Sequence, residues 1–184
     1  DRLSVNIEIP SEKGLKLLAP DKKREDFIKP MQKVKNEIIQ YKSEKKLIKS
    51  TPVYAPAGQS TQMIIGASGE TDAEIMYTSA YFYKQFKMKR VYYSGYIPIS
   101  YDERLPSIGT EVPMMRENRL YQTDWLLRFY GFDIRELLNK EHPNLETDID
   151  PKLSWALRNL EHFPVDINKA DRRMLARIPG IGMR

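Results

Sequence analysis

The sequence predicts an α/β fold: a layer of parallel strands with helical crossovers, or part of a (β/α) barrel, followed by an α-helical tail. Two observations carry this expectation. Strand and helix patterns alternate through the first hundred residues in the order strand, helix, strand, helix, strand, which favours parallel strands joined by right-handed crossovers. After about residue 100 the strand pattern stops, and the rest is helical and basic. The reading therefore divides the chain into residues 1–100, a helical extension over 101–162, and a terminal segment over 163–184.

The first strand is expected over residues 3–9. Leu3, Val5, Ile7 and Ile9 alternate with Ser4, Asn6 and Glu8, and alternate side chains of a strand share a face. Ser4, Asn6 and Glu8 then form one polar face, which suits either a solvent-facing antiparallel strand or an open barrel with a polar, ligand-holding interior. Pro10 ends the strand, and a polar loop follows. A helix is expected from Glu25 to Ser43, with Phe27, Met31, Val34, Ile38 and Tyr41 as its apolar stripe. Its lysines, Lys29, Lys33, Lys35, Lys42 and Lys45, read as a solvated face with no binding role.

Residues 49–61 read as a Pro-, Gly- and Ser-rich loop, and Gln62–Gly66 as the second strand. Thr71 and Glu74 have capping-box spacing at the start of a second helix, with Ile75, Ser79, Phe82 and Phe86 along it. The third strand spans Val91–Ile97 and is closed by Pro98. Beyond residue 100, a helix from Met115 to Tyr130 stops at Gly131, Asp133 caps a short helix, and Asp150-Pro151 starts another. That last helix should bury Leu153, Ala156, Leu157 and Leu160. In α/β layers and barrels ligands sit at the carboxyl ends of the strands. Here those ends carry Asn6 and Glu8, then Gly66 to Glu70, then Ser94 to Pro98.

Composition narrows the chemistry. The 184 residues contain no cysteine, which excludes disulfides, thiolate catalysis and cysteine-ligated metal within the chain. His142 and His162 lie on different segments, without the close spacing of a helical zinc pair. There is no long apolar run to span a membrane and no signal peptide at the start, so the expected compartment is the cytoplasm. The net charge of +5 favours a polyanionic partner.

The terminal segment supplies a sharper signal. Asn168 is positioned to cap a helix with Asp171 in its first turn. Met174, Leu175 and Ile178 give that helix an apolar side, and Pro179-Gly180-Ile181-Gly182 follows. This phrase resembles the first half of a helix-hairpin-helix DNA-binding motif, whose second helix would begin beyond Arg184. Glycines let a phosphate approach backbone N–H groups closely without any reading of bases. Pro179, Gly180, Ile181 and Gly182, with Arg172 and Arg173, are the candidate nucleic-acid contacts. Arg177 suits either a phosphate contact or solubility, and Tyr92, Tyr93 and Tyr96 suit either core or a base-stacking platform.

Ile64-x-Gly66 before a helix resembles the fifth-strand motif of radical S-adenosylmethionine (SAM) enzymes, Gly-x-Ile-x-Gly-x-x-Glu. Gln62 stands for the first glycine, Gly69 for the glutamate, and Glu70 follows one place later. Ser4–Glu8, Gln59–Ala67, Arg90–Ser94, Leu120–Phe132 and the terminal Pro-Gly-Ile-Gly, taken in order, resemble a family of DNA modification or repair radical SAM proteins over nearly the whole chain. The resemblance implies that residues 1–100 are the C-terminal half of a partial (β/α)6 barrel. It also implies a [4Fe–4S] cluster on three cysteines upstream of residue 1, which cleaves SAM to a 5′-deoxyadenosyl radical. Asn6 and Glu8 would bind the SAM ribose or amino acid moiety. Ile64 and Gly66 would flank its adenine, and Ser94 and Glu70 would complete the pocket. DNA is the implied partner. The fragment would be inactive alone and prone to self-associate through its truncated barrel face. The rival expectation is a noncatalytic nucleic-acid-binding α/β module.

Overall fold

The computed structural model describes residues 1–182. The chain is mixed α/β and divides into two compact units, one formed by Asp1–Glu70 with Thr78–Val112, the other by Thr71–Tyr77 with the residues from Pro113 on.

The first unit is built on a parallel three-stranded sheet in the order β1-β2-β3, with β1 at Leu3–Ser4, β2 at Gln59–Ile65 and β3 at Arg90–Gly95. Its helices are α1 (Glu12–Leu18), α2 (Arg24–Leu47) and the greater part of α3 (Asp72–Phe86). Parallel pairing agrees with the expected order of elements and excludes the antiparallel reading of the first strand. Residue alternation then sorts the sheet into two faces. On one, Gln59, Thr61, Met63 and Ile65 of β2 lie beside Val91 and Tyr93 of β3, and all are buried. Gln59 Nε2 donates to Met31 O of α2 and Phe86 O of α3, so both helices cover this face. Tyr93 Oη donates to Ser79 Oγ of α3 at 2.9 Å. The other face carries Ser4, Ser60, Gln62, Ile64, Tyr92 and Ser94, and it is mostly polar.

The first strand departs from the expected 3–9 run. Ser4 pairs with Ser60, and the next bridge joins Glu8 to Met63. Four steps on one strand therefore oppose three on its neighbour, the signature of a one-residue bulge. The chain turns sharply at Glu8, whose φ is +59°, and Ile9 N reaches back to Ile7 O at 2.6 Å. Ile7 N takes the Thr61 hydroxyl as its acceptor. Because an extra residue flips the alternation, Glu8 does not continue the polar face of Ser4 and Asn6. Ile7 and Ile9 are buried, beside Leu15, Phe27, Ile28 and Phe82.

Local signals account for the remaining elements and for the differences in their bounds. α1 occupies what reads as a polar loop. Ser11 caps it, its hydroxyl accepting from Gly14 N. α2 extends four residues beyond the expected end at Ser43, with Asp26 accepting from Lys23 N at its start. β2 begins three residues before the expected Gln62. In α3 the capping box is formed: Thr71 N donates to Glu74 Oε2 at 2.8 Å and Glu74 N to Thr71 Oγ1 at 3.2 Å. Ile75, Ser79, Phe82 and Phe86 are all buried along it.

The second unit contains α4 (Met114–Phe129), α5 (Ile134–Leu137), α6 (Pro151–Arg158), a 3₁₀ turn at Leu160–His162 and α7 (Arg172–Arg177), with the first turns of α3. Gly131 follows the C-cap of α4 with φ +70°, a conformation that glycine adopts without strain. Asp133 and Asp150 cap α5 and α6 through their side chains. Its core gathers Leu120, Leu126, Phe132, Leu137, Leu138 and Trp155. Asp72, 1 % exposed, accepts from Arg116 Nε at 2.6 Å and Leu145 N at 2.8 Å, holding α3's first turn to this unit. α6 rotates away from its expected stripe. Lys152, Ser154, Trp155 and Ala156 face inward, whereas Leu157 and Leu160 are exposed. The indole of Trp155 packs edge-on against Phe132 and fills the space that the leucines were expected to fill. Among the described residues no helix is long and apolar enough to cross a membrane.

Candidate functional site

The sheet sets two of the six expected cofactor-binding residues, Ile64 and Ser94, in register and brings the Glu8 backbone beside them. Ile64 lies directly opposite Ser94 on β3, and Ile64 N donates to Glu8 O at 2.7 Å on the other side. Glu8, Ile64 and Ser94 therefore cross three adjacent chain segments at the carboxyl end of the sheet. Gly66 stands two residues further along, with φ +86°. That left-handed conformation turns the chain out of the strand without the strain another residue would suffer. Asn6 sits on the exposed side of the bulge, its Oδ1 accepting from Ser4 Oγ at 2.6 Å.

The two carboxylates of this group differ in availability. Glu8 pairs with Lys22 at 3.1 Å, and both side chains are about half exposed (45% and 48%). A surface pair of this kind contributes only about 0–1 kcal/mol and exchanges readily. Glu70 is 7% exposed and turns under the N-terminus of α1, where Ser11 Oγ donates to Oε1 at 2.6 Å and Ser68 Oγ to Oε2 at 2.5 Å. Its carboxylate joins the β2–α3 connection to α1, so its local role is a clamp. Of the tyrosines, Tyr93 is core, while Tyr92 lies on the polar face and its hydroxyl accepts from Arg2 at 2.7 Å.

The terminal phrase folds into a defined turn. Asp171, not Asn168, is the N-cap of α7, accepting from Met174 N at 2.7 Å. Asn168 instead donates its backbone N–H to Asp166 in the preceding turn, which leaves it too far upstream to cap the helix. Ile178 O accepts from Ile181 N at 3.2 Å around Pro179 and Gly180, and Gly180 has φ +83°. Proline first and a positive-φ glycine second define a type II turn. Lys152 Nζ donates to Ile181 O at 2.6 Å and lies 4.8 Å from the Tyr130 ring centre; burial pushes this ammonium below its usual pKa. Arg172 is exposed, and Arg173 reaches Glu136 at 3.5 Å with its own side chain 71% exposed. Arg177 is buried against Glu136 at 2.5 Å and stacks over Phe132 and Trp155, so it is a core cation and not a phosphate contact.

One feature of the second unit escapes sequence reasoning. A polar cleft of about 620 Å3 is lined by both histidines, His142 and His162, with Arg135, Arg158, Arg173 and Glu136. Trp155 stacks on His162 at 6.0 Å between ring centres, with an angle of 12°. The histidines are twenty positions apart on separate segments, and no local spacing announces their approach. Among the described residues no group of three His, Asp or Glu side chains is placed to hold a metal ion.

No family model, no curated protein and no solved structure matches this chain.

Proposed function

We propose that the chain is the C-terminal section of a radical SAM enzyme that acts on DNA, with its iron–sulfur ligands on a segment outside these 184 residues. The observation that carries this reading is the registered pair Ile64–Ser94, with Glu8 O bonded to Ile64 N and Gly66 just beyond, at the carboxyl ends of neighbouring parallel strands. Ligands of α/β sheets bind at that end. The sheet's mostly polar face fits the inner wall of a half barrel, the other face being covered by α2 and α3.

The residues fit SAM in part. Ile64 offers an apolar surface for an adenine, Gly66 permits close backbone approach, and Ser94 and Asn6 offer hydrogen-bonding groups. Glu8 has the exchangeable carboxylate that a ribose or an ammonium group needs. Glu70 does not fit, because Ser11 and Ser68 already occupy its oxygens. The cluster does not fit this chain at all, since no cysteine is present to ligate it. SAM on a reduced cluster would supply radical chemistry, the cluster giving the electron that cleaves it. The residues here would orient SAM and keep water from it.

The DNA assignment rests on the Pro179–Gly182 turn, whose type II geometry suits a phosphate-binding hairpin, and on exposed Arg172 beside it. If the other strands of a half barrel lie on another segment, the isolated chain would leave the mostly polar sheet face open and self-associate through it; a monomer by light scattering rejects that corollary. The deciding experiment is on the full-length gene product. A Cys-x3-Cys-x2-Cys motif upstream, with SAM binding after cluster reconstitution, supports the enzyme. Absence of the motif, with DNA binding retained, replaces it with a noncatalytic nucleic-acid-binding module.

A further inference from the structure

At the opposite end of the sheet lies a groove of about 480 Å3 that belongs wholly to the first unit. Gly58, which immediately precedes β2, and Lys89, which immediately precedes β3, lie on its wall. Seven strand residues, about 23 Å at about 3.3 Å each, separate it from the carboxyl ends. Its lining contains five lysines, Lys35, Lys42, Lys45, Lys87 and Lys89, and no acidic residue.

Four of these five lysines have no ion-paired carboxylate among the described residues. Lys16, Lys22, Lys29 and Lys169 make ion pairs with Glu12, Glu8, Glu25 and Asp166. Lys35, Lys42, Lys45 and Lys87 make none among the described residues. Like charges concentrated in a concave, low-dielectric wall focus potential and attract an anion. The lining is also apolar and aromatic. Tyr41 of α2 and Tyr54 of the following loop stack at 5.3 Å and 27°, beside Ile38 and Phe86. At Gly58, φ +75°, a Cβ would collide with the Lys89 stem, so glycine lets that lysine cross the wall.

We propose that this groove binds a single strand of nucleic acid, with lysines on its phosphates and a base against the Tyr41–Tyr54 pair. Lys35 and Lys45 lie about 15 Å apart along α2 at about 1.5 Å per residue, too far for one phosphate. The span therefore calls for several successive phosphates of one strand. A duplex hides its bases and would leave the apolar lining unfilled. An acidic peptide matches the lysines but brings no ring to the tyrosines. A charged groove with aromatic platforms is the recurrent solution for single strands. The inference shares with the proposed function only the class of partner, and it uses none of the hairpin residues.

The test is fluorescence anisotropy of the 184-residue chain with a labelled twelve-nucleotide oligothymidylate, a duplex of equal length, and polyglutamate as competitor. The triple variant K35Q/K42Q/K45Q should bind the single strand about tenfold more weakly, with a log–log salt slope shallower by about 2 for three lost phosphate contacts. The triple arginine variant should retain binding, and Tyr54→Leu should weaken the single strand but not the duplex. The K16Q/K29Q variant, which removes two exposed lysines outside the groove, should leave single-strand affinity unchanged, which separates the groove from general positive charge. Unaltered binding by the glutamine variant, preference of the parent chain for duplex, or competition by polyglutamate as strong as by unlabelled oligothymidylate would overturn the proposal.

Discussion

The Ser11 hydroxyl donates to the buried Glu70 carboxylate at 2.6 Å across 59 positions of sequence, and the same hydroxyl accepts from Gly14 N at 2.9 Å. One side chain thus caps α1 and ties it to the connection leaving β2. The contact fixes in place a helix of only seven residues that carries a glycine at its third position.

Glu70→Ala should lower stability by about 2 kcal/mol, since it removes two hydrogen bonds to a buried charged group. Gly14→Ala should cost about 1–3 kcal/mol, because its Cβ would meet Glu70 Oε1 at 2.5 Å and Ile9 Cγ2 at 2.8 Å. The double variant should lose less than the sum, as removing Glu70 clears the closest of three clashes, the third being with Ser11 Oγ at 2.9 Å. Urea denaturation of the four proteins checks all three expectations; strict additivity would mean that the two residues do not share this contact.

In the second unit, Glu136→Ala should destabilise by about 3 kcal/mol by leaving the Arg177 guanidinium buried without its carboxylate. Arg177→Met should be milder, because an apolar chain can still cover Phe132 and Trp155. Thermal melts in which Arg177→Met is the worse of the two would show that stacking, and not the ion pair, dominates.

Acid should expose a local weakness at α5. The Arg135 guanidinium and the Arg135 backbone N–H hold the Asp133 carboxyl down from 3.8 to about 2. A carboxyl whose folded pKa lies below its unfolded value stabilises the fold above the unfolded pKa, and the contribution fades as pH falls through the folded one. The loss should therefore fall between about pH 4 and pH 2, and Asp133→Asn should remove that portion of the pH dependence. Denaturant midpoints measured across this window read it directly.

For cofactor binding, Glu8→Ala in the reconstituted full-length protein should weaken SAM about tenfold, as expected for one lost charged hydrogen bond. Its fold should survive, because the carboxylate makes only a half-exposed pair with Lys22. Calorimetric titration with unchanged affinity would remove Glu8 from the site.

Gly180→Ala should cost about 1 kcal/mol and weaken duplex binding by the full-length protein. The cause is conformational: φ is +83°, whereas an added Cβ would meet no atom within 4 Å. Retained duplex affinity in this variant would make the turn a structural element only.

The elements that the sequence determined by itself are those whose signals are local. The Thr71–Glu74 capping box, the Asp133 and Asp150 caps, Gly131 after α4 and the Pro179-Gly180 turn each act within a few residues, and each stands as its local chemistry dictates. The order of strands and helices led to parallel pairing for the same reason, since crossovers leave little choice of direction. Tertiary structure decided what depends on distant partners. α1 needs Glu70, and the bulge before Glu8 is visible only against β2. Burial of Arg177 needs Glu136, Phe132 and Trp155, and Trp155 displaced the leucines from the inner face of α6. His142 and His162 share a cleft although nothing in their spacing brings them together. Lys35, Lys42 and Lys45 read as an ordinary solvated helix face, and only the loop carrying Tyr54 and Gly58 makes them the wall of a groove. A helix face carries the spacing of its own charges; whether that face meets water or a concave wall is set by segments the helix does not encode.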